Sequence, residues 1–400
     1  MRNRVVWLTS LVTIGLCLLG TGCGQSAEEV PSSGLMLVLD PDLTIGSESH
    51  PDAVLTRVYD VTVGTQGDVF VVQWQTPAVL RFSSDGAFRG LIGRRGSGPG
   101  ELIAPSRLGW VGDTLWVSDP SGARIELFHE NGEHIRSVRV GGHFGEKVGE
   151  SLRPWGILAD GAVVLAGSPS IGMMARGAVT TRGLYRLHPG DSVVELRQLP
   201  VVEGDALLVP LNGGFLGGTP LLPSSPLWDA HPDGRFILLL DRSPYDRAAA
   251  PMITMEKFDG FGARFWEGAI PYEPVPVSAE WRDRSYRERA EQSGGGTPDR
   301  SIARIEAALR DHVNLPDYFP PVSRMIVGVD GTIWLRREPV SEEVHLWEVF
   351  DEDLDLVGRL EIPSSISLHQ VSRTKVWATV HDEFDVPSLV RMHVTPADDG

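Results

Sequence analysis

The sequence predicts an all-β fold, a six-bladed β-propeller of four-stranded antiparallel blades. The first observation is a repeat of short apolar strands that follow Gly/Asp turns. The strands are DVFVV, TLWVS, AVVLA, RFILL, TIWLR and KVWAT, centred on Phe70, Trp116, Val164, Ile237, Trp334 and Trp377. The second observation is the spacing, because successive centres lie 46, 48, 73, 97 and 43 residues apart. A period in the mid-forties, with extra residues in two units, is typical of propeller blades.

The second repeat shows the four strands of a blade most plainly. Its predicted strands are Leu108–Val111, Leu115–Ser118, Arg124–Phe128 and Ile135–Val138. Gly112-Asp113 and Asn131-Gly132 separate the first pair and the last pair, and such dipeptides are characteristic of tight hairpin turns. The repeat is therefore a four-stranded meander.

This repeat also resembles a known motif. The stretch GSGPGELIAPSRLGWVGDTLWVSDPSGARIELFHENG resembles the NHL repeat, which runs from a Gly-Pro-Gly-Glu link through an inner strand to a V-x-D and an R-I-x-x-F. The other five repeats keep the strand pattern without the signature, as in the broader superfamily of six-bladed propellers among bacterial exported proteins. That superfamily includes scaffolds, ligand-binding domains, lyases and lactonases, so the resemblance implies a fold and does not select a function.

The glycines of this link lie beside Arg94 and Arg95, which raises the alternative of a phosphate-binding loop. A phosphate loop needs a helix directly after its glycines, whose free N–H groups would face the anion. Pro105 and a predicted strand follow instead. We therefore expect residues 93–106 to be a turn between two blades.

The last blade is predicted to be closed by the N-terminal end of the domain. Its own strands lie near Ile366–Val371, Val376–Val380 and Leu389–Val394, and a fourth is missing. Leu35–Leu39 is an apolar strand without a blade, so it should complete the sheet. This pairing would remove the open sheet edges that otherwise invite association, and we expect a monomer.

Loop lengths distinguish the two faces of the predicted propeller. Turns between first and second strands, and between third and fourth strands, are short: Asp160-Gly161, Asp233-Gly234, Asp330-Gly331, Asp85-Gly86, Asn131-Gly132 and Pro189-Gly190. The remaining connections are long and emerge on the opposite face: 141–153, 167–182, 199–225, 241–251 and 269–321. Binding residues concentrate on long loops that a rigid scaffold positions, so the long-looped face is the functional candidate.

The longest connection contains a small helical insertion, about residues 277–314, between blades four and five. Ser278 begins one predicted helix, and Pro298-Asp299 begins another with an apolar stripe at Ile302, Ile305, Leu309 and Val313. Two interpretations are open. The helices form a lid over the tunnel mouth, or the stripe covers exposed blade edges.

The N-terminal segment predicts export. A basic start precedes about 16 mostly apolar residues, which fits a signal peptide over residues 1–22. Gly20-Thr21-Gly22-Cys23 resembles the lipobox of bacterial lipoproteins, with Gly20 where leucine is usual, and the resemblance implies lipidation of Cys23. Residues 23–34 would then be a flexible tether before a propeller at 35–400. The expected location is the bacterial cell envelope, with the protein lipid-anchored to the membrane.

Charge and cysteine content exclude several classes of function. The formal net charge is −17, which argues against nucleic acid as a partner because nucleic-acid binding needs a basic surface. Cys17 would leave with the leader and Cys23 would carry lipid, so the propeller has no cysteine for a disulfide or a thiolate metal site.

Four arginines begin predicted inner strands on the long-looped face: Arg57, Arg107, Arg153 and Arg324. A ring of guanidinium groups at the tunnel mouth would bind a carboxylate, sulfate or phosphate on a ligand. The alternative is that these side chains are solvated or paired with acidic neighbours, since the chain is rich in arginine throughout.

Catalytic motifs are sparse. Asp60, Asp229 and His369 lie on inner strands, where propeller lactonases and lyases hold a divalent metal, and they are the metal candidates only under an enzyme interpretation. His231 belongs to an HPDG turn and is predicted to be structural. HExxH, GxSxG and Walker-type motifs do not occur in the sequence.

The sequence thus predicts a binding protein without catalysis and without a cofactor. The ligand would be a partner protein, a glycan or a small, anionic molecule on the long-looped face. The alternative is a metal-dependent tunnel enzyme of lactonase or lyase type. An enzyme of that type would require three or more convergent His, Asp, Glu or Asn side chains in the tunnel.

Overall fold

The computed structural model describes residues 36–46, 53–168, 181–188, 192–201, 207–211, 214–218, 220–243, 245, 247, 250–294, 301–339, 341 and 343–397. The predicted fold class is confirmed, because the described strands form six four-stranded antiparallel blades. The predicted leader, Cys23 and the tether lie outside the described residues. No helix within the described ranges is long and apolar enough to cross a membrane.

The first five blades each consist of four consecutive strands. Blade one contains β2 (Val58–Val63), β3 (Val69–Gln73), β4 (Thr76–Phe82) and β5 (Phe88–Ile92). Blade two contains β8 (Arg107–Val111), β9 (Thr114–Asp119), β10 (Arg124–His129) and β11 (His134–Arg139). Blade three contains β12 (Ser151–Ile157), β13 (Val163–Ser168), β14 (Thr181–Leu187) and β15 (Val193–Pro200). Blade four contains β18 (Leu227–Ala230), β19 (Ile237–Asp241), β20 (Met252–Phe258) and β21 (Arg264–Pro271), and blade five contains β22 (Val322–Val327), β23 (Ile333–Arg337), β24 (Val344–Phe350) and β25 (Leu356–Pro363).

The sixth blade joins the two ends of the domain, as the sequence predicts. Its strands are β26 (Ile366–Val371), β27 (Lys375–His381), β28 (Pro387–Pro396) and the N-terminal β1 (Leu37–Ile45). β1 pairs antiparallel with β28, from Leu37 opposite Pro396 to Ile45 opposite Leu389. The strand is longer than predicted, and Leu35 lies outside the described residues.

The apolar core is divided into layers between neighbouring blades. Strand side chains alternate between the two faces of each sheet, so each blade contributes to one layer on either side. Phe70 and Leu115 share the layer between blades one and two, whereas Trp334 and Trp347 lie in the layer between blades five and six. The repeated apolar strands are therefore the source of the interblade packing.

The two faces differ as predicted. The turn face carries the short turns, in which Gly86, Gly132, Gly161, Gly234 and Gly331 all have φ between +74° and +93°. Glycine is the residue that adopts this left-handed conformation at little cost. The Pro189-Gly190 turn lies outside the described residues. The opposite face, here called the loop face, carries the long connections, including helix α1 (Gly142–Val148).

The insertions of the loop face pack on one another. Helix α2 (Ala279–Ser293) begins at the predicted Ser278, whose hydroxyl accepts a hydrogen bond from Trp281 N, and helix α3 spans Ile302–His312. Together with the hairpin of β16 (Leu207–Leu211) and β17 (Gly214–Gly218) they enclose a separate apolar core. Ile305 and Leu309 of the predicted stripe are buried there, whereas Ile302 is exposed.

The glycine-rich link is a turn between blades one and two. Two short parallel strands, β6 (Arg94–Arg95) and β7 (Glu101–Leu102), brace it, and strand β8 follows where a phosphate loop would have a helix. The buried Arg124 guanidinium donates hydrogen bonds to the carbonyls of Gly96, Ser97 and Glu101. The arginine of the R-I-x-x-F sequence therefore holds the link in shape.

Candidate functional site

One side chain from each blade approaches the central tunnel. They are Asp60 on β2, Arg107 on β8, Trp155 on β12, Asp229 on β18, Arg324 on β22 and His369 on β26. In four of these inner strands the pairing register shifts by one residue, at Val58/Asp60, Pro154/Gly156, Val322/Arg324 and Leu368/Gln370. A β-bulge of this kind redirects side chains locally, and here it coincides with the residues that face the tunnel.

Arg107 is held on two sides. Its Nη2 donates a hydrogen bond to Oδ1 of Asp229 at 3.1 Å, and its guanidinium carbon lies 3.8 Å from the centroid of the Trp155 ring. Trp155 in turn stacks on Trp228 with ring centroids 4.3 Å apart. The side chains of Arg107 and Asp229 are 33% and 16% exposed. The contacts of Arg107 therefore connect blades two, three and four.

The two tunnel carboxylates connect neighbouring blades. Asp60 accepts hydrogen bonds from its neighbour Val61 N at 2.9 Å and, across the blade junction, from Leu108 N at 3.2 Å. Asp229 accepts one from Val327 N of blade five at 3.4 Å. Burial raises the pKa of Asp60 to about 6, although the Arg107 charge opposes the rise. Burial also raises the pKa of Asp229, again against Arg107.

Arg324 has a different environment. Its Nη2 donates a hydrogen bond to the carbonyl of Leu368 at 2.7 Å, and among the described residues it forms no ion pair. Burial, reinforced by the nearby Arg336 charge, lowers the pKa of Arg324 to about 10. The positive charge is still present at neutral pH, so Arg324 is a partly buried cation without a directly bonded carboxylate in the described structure.

His369 lies beside Arg324 and is uncharged. Its Nε2 lies 2.7 Å from the hydroxyl oxygen of Thr379. Burial lowers the pKa of His369 to about 3, and the Arg324 charge contributes to the lowering. The ring is also hydrogen-bonded to the backbone of Tyr59, so it lies beside Arg324 as an uncharged group whose partners are within the protein.

A cavity of about 550 Å³ opens on the loop face at the end of the tunnel. We call it the mouth cavity, and its lining includes Arg57, Tyr59, Arg324, His369, Thr379 and His381. Arg57 is exposed, with its guanidinium carbon 5.9 Å from the centroid of the Tyr59 ring. Small-molecule sites are commonly 300–1,000 Å³, so the mouth cavity is large enough for such a ligand.

The tunnel beneath contains a much smaller cavity of about 80 Å³, lined by Asp60, Arg107, Trp155 and Asp229 among others. Such a space accommodates a few water molecules, not a drug-sized ligand. Described residues of the helical insertion line neither this cavity nor the mouth cavity. The described residues of the insertion therefore make no contact with either cavity that would support the expected lid.

The structure separates the four predicted arginines. Arg57 and Arg324 line the mouth cavity, Arg107 lines the tunnel cavity, and Arg153 is exposed on the loop face and lines neither. The predicted metal candidates Asp60, Asp229 and His369 do approach the tunnel. However, the described part of the chain contains no group of three or more His, Cys, Asp or Glu side chains that could hold a metal ion.

The histidine of the HPDG turn is hydrogen-bonded within that turn. His231 is buried, and its Nδ1 lies 2.6 Å from Oδ1 of Asp233 within the same turn. Sequence reasoning missed Trp155, which shapes the tunnel as much as the charged residues do. Trp155 lies on an inner strand, as Asp60 does, so an alignment of the repeats could have found it.

Comparison with known proteins bears on the fold alone. No family model and no curated protein matches the chain. Among solved structures, the chain is similar to an inferred exported protein from Bacteroides fragilis, with a TM-score of 0.50 and 12% identity over 90% of this chain and 96% of that one. It is also similar to a member of the DUF4221 family from Bacteroides vulgatus, with a TM-score of 0.51 and 9% identity over 90% of this chain and 99% of that one. At these identities the similarity shows the fold alone, a β-propeller.

Proposed function

We propose that this chain is an exported binding protein whose mouth cavity takes the anionic group of a small extracytoplasmic molecule or glycan, without catalysis. The observation that carries the proposal is Arg324. Its guanidinium borders a cavity of about 550 Å³ and makes no ion pair among the described residues. A carboxylate, sulfate or phosphate in the cavity would supply the missing partner.

The remaining lining fits the same ligand chemistry. Arg57 offers a second guanidinium, and a guanidinium pairs bidentately with carboxylates and phosphates. His369 and Thr379, which are hydrogen-bonded to each other, lie next to Arg324 and add no charge to the cavity. The lining also contains one carboxylate, that of Asp385. Two guanidinium groups against this single carboxylate still favour an anion, and nothing in this arrangement requires a reaction.

Titration calorimetry against galacturonate, a sulfated monosaccharide and inorganic phosphate, at fixed salt, tests the proposal. Arg324→Gln should weaken binding of the best anion by about 1.5–3 kcal/mol, the usual contribution of a charged hydrogen bond. Arg57→Gln should weaken it less, because Arg57 is exposed.

Arg153→Gln is the matched control, since Arg153 lies on the same face outside the mouth cavity. Unaltered affinity in this variant would assign the effect to the cavity. If Arg153→Gln and Arg324→Gln lost equal affinity for the anion, the overall positive charge of this face, not a specific site, would explain binding. If no anion bound at all, the proposal would be contradicted.

The membrane anchor is a separate part of the proposal. Cys23 in its lipobox-like sequence would carry lipid, and a lipid chain would hold the protein at a membrane. Cys23→Ser should move the protein from the membrane fraction to the soluble fraction. Cys17→Ser is the control, because Cys17 would be removed with the leader. Unchanged fractionation of Cys23→Ser would contradict lipid anchoring.

A further inference from the structure

A second cavity, of about 150 Å³, adjoins the mouth cavity on the loop face between blades one and two. Tyr59 lines both cavities, so its ring is the wall between them. The second cavity is also lined by Trp74, Gln75, Thr76, Arg95 and Ile103. A ligand that extends out of the mouth cavity past Tyr59 would therefore meet Trp74.

Trp74 is an exposed aromatic side chain on a rigid support. It occupies the two-residue turn between β3 and β4, in which Gln75 has a φ of +70°. Its side chain is 51% exposed, and its ring meets the edge of Tyr59 with centroids 6.1 Å apart and planes at 86°. An aromatic face held in place and half in water is available for stacking.

Hydrogen bonds fix this turn to the segment that leads into blade one. The Thr56 hydroxyl donates to the carbonyl of Trp74 at 2.8 Å. The buried Gln73 side chain accepts a hydrogen bond from Thr56 N and donates one to the carbonyl of Val54. Because these contacts fix the backbone of the turn that carries Trp74, binding would not require the turn itself to be ordered.

Polar side chains border the Trp74 ring. Gln75 and Thr76 offer an amide and a hydroxyl, and the exposed Arg95 has no ion-pair partner among the described residues. An apolar face flanked by hydrogen-bonding groups matches a pyranose ring, which has C–H groups on its face and hydroxyl groups around its edge.

We propose that the ligand is an acidic oligosaccharide. Its carboxylate or sulfate lies at Arg324 and Arg57 in the mouth cavity, and a neighbouring sugar ring stacks on Trp74. This inference rests on the proposed function and names its ligand class. An extended peptide fits less well, because it would need an unpaired strand edge, and β3 and β4 are both central strands of their blade.

The test compares one acidic sugar with longer acidic chains by titration calorimetry. The probes are galacturonate, three acidic tetrasaccharides (tetragalacturonate, a hyaluronan tetrasaccharide and a heparin tetrasaccharide), maltotetraose as the neutral chain, and tetraglutamate as an acidic peptide. At least one acidic tetrasaccharide should bind tenfold or more tightly than galacturonate, and maltotetraose and tetraglutamate should bind no better than galacturonate.

Trp74→Ala should remove the tenfold gain and leave the galacturonate affinity unchanged, which also shows that the variant is folded. Phe261→Ala is the control, since Phe261 is an exposed aromatic residue in a turn-face hairpin of blade four. Arg324→Gln should weaken the binding of galacturonate and of the tetrasaccharide together.

The outcomes separate this inference from the proposed function. Two outcomes would overturn the oligosaccharide proposal and leave the anion site standing. In the first, galacturonate binds through Arg324 but no acidic tetrasaccharide binds more tightly than galacturonate. In the second, the higher affinity of the tetrasaccharide persists in Trp74→Ala. Equal affinity for tetraglutamate or maltotetraose would also overturn it. If galacturonate and all three acidic tetrasaccharides fail to bind, both proposals are overturned.

Discussion

Two arginines of the turn face and three of the loop face differ in their partners, although other loop-face arginines, such as Arg94 with Glu101, also form ion pairs. On the turn face, Arg81 pairs with Asp68 at 2.7 Å and Arg186 pairs with Asp160 at 2.5 Å. On the loop face, Arg57, Arg153 and Arg324 form no ion pair with any residue that the structure describes. Arginines that are matched inside the protein hold the fold together, whereas unmatched arginines are available to a ligand.

The glycines of the turn face contribute contacts between blades. The turn face is built from short turns whose glycines have positive φ, and several of these turns touch the next blade. The backbone N–H of Ala159 in blade three donates a hydrogen bond to the carbonyl of Gly234 in blade four at 3.1 Å. Such contacts connect neighbouring blades at the turn face, so we expect substitutions at these turns to affect folding without changing the mouth cavity.

The largest expected effect is that of Gly234→Ala on stability. A Cβ at Gly234 would lie 2.6 Å from Ala159 N and 2.7 Å from the carbonyl oxygen of Ile157, and the φ of +74° is unfavourable for alanine. Conformational strain and overpacking together should destabilise the protein by about 2–5 kcal/mol. Denaturant unfolding would measure the loss, and galacturonate affinity of the folded fraction should be unchanged.

Gly161→Ala is the matched control for this prediction. Gly161 occupies the equivalent turn of blade three with a φ of +83°, and an added Cβ would meet nothing within 4 Å. Only the conformational cost of about 1–2 kcal/mol should remain. If both variants lost the same stability, the contact between blades three and four would not be the reason.

A smaller effect on stability is expected at the boundary between the two faces, at Arg107. Arg107→Gln would leave the Asp229 carboxylate in the tunnel without its ion pair. Breaking a buried pair typically costs 3–5 kcal/mol, and because Arg107 is 33% exposed we expect about 2–3 kcal/mol. Thermal unfolding of the variant measures the loss.

Arg324→Gln provides the comparison, and it should cost about 1 kcal/mol or less, since only a hydrogen bond to a carbonyl is lost. The double variant Arg107→Gln/Asp229→Asn should recover part of the stability lost in Arg107→Gln. Equal destabilisation by Arg107→Gln and Arg324→Gln would remove the distinction between matched and unmatched arginines.

The fold could be predicted from the sequence because its causes are local and repeated. Strand alternation, turn glycines and the spacing of the repeats are each visible within a few residues, and they recur six times. The closure by β1 was also predictable, because Ile366–Val371 and the strands after it lack a fourth partner. The mixed origin of blade six follows from counting strands.

The site could be predicted only in part, for the opposite reason. Arg107 and Arg324 lie at similar places near the start of inner strands, and nothing near either one in the sequence distinguishes them. The partner of Arg107 is Asp229, 122 residues away. Whether an arginine forms an ion pair depends on contacts between residues that are distant in the sequence. The position of Trp155 against the Arg107 guanidinium depends on such contacts as well.

The smallest expected effect concerns the pH dependence of anion binding. Two tunnel carboxylates, Asp229 and Asp60, lie close enough to Arg324 to oppose the lowering of its pKa. The pKa of Asp60 is raised from 3.8 to about 6, so this carboxyl becomes protonated as the pH falls through 6. A raised carboxyl pKa also means that the contribution of Asp60 to stability falls as the pH rises from about 4 to 6.

Loss of this negative charge should strengthen the binding of a sulfated monosaccharide, which stays ionised throughout, by about threefold between pH 7.5 and pH 5.5. Asp60→Asn should bind at the low-pH level at both pH values. His381 also lines the mouth cavity, so His381→Gln is needed as a control, whereas His369, with a pKa of about 3, stays neutral. A threefold change that disappears in His381→Gln and persists in Asp60→Asn would assign the effect to the histidine and show that the tunnel carboxylate does not influence the loop face.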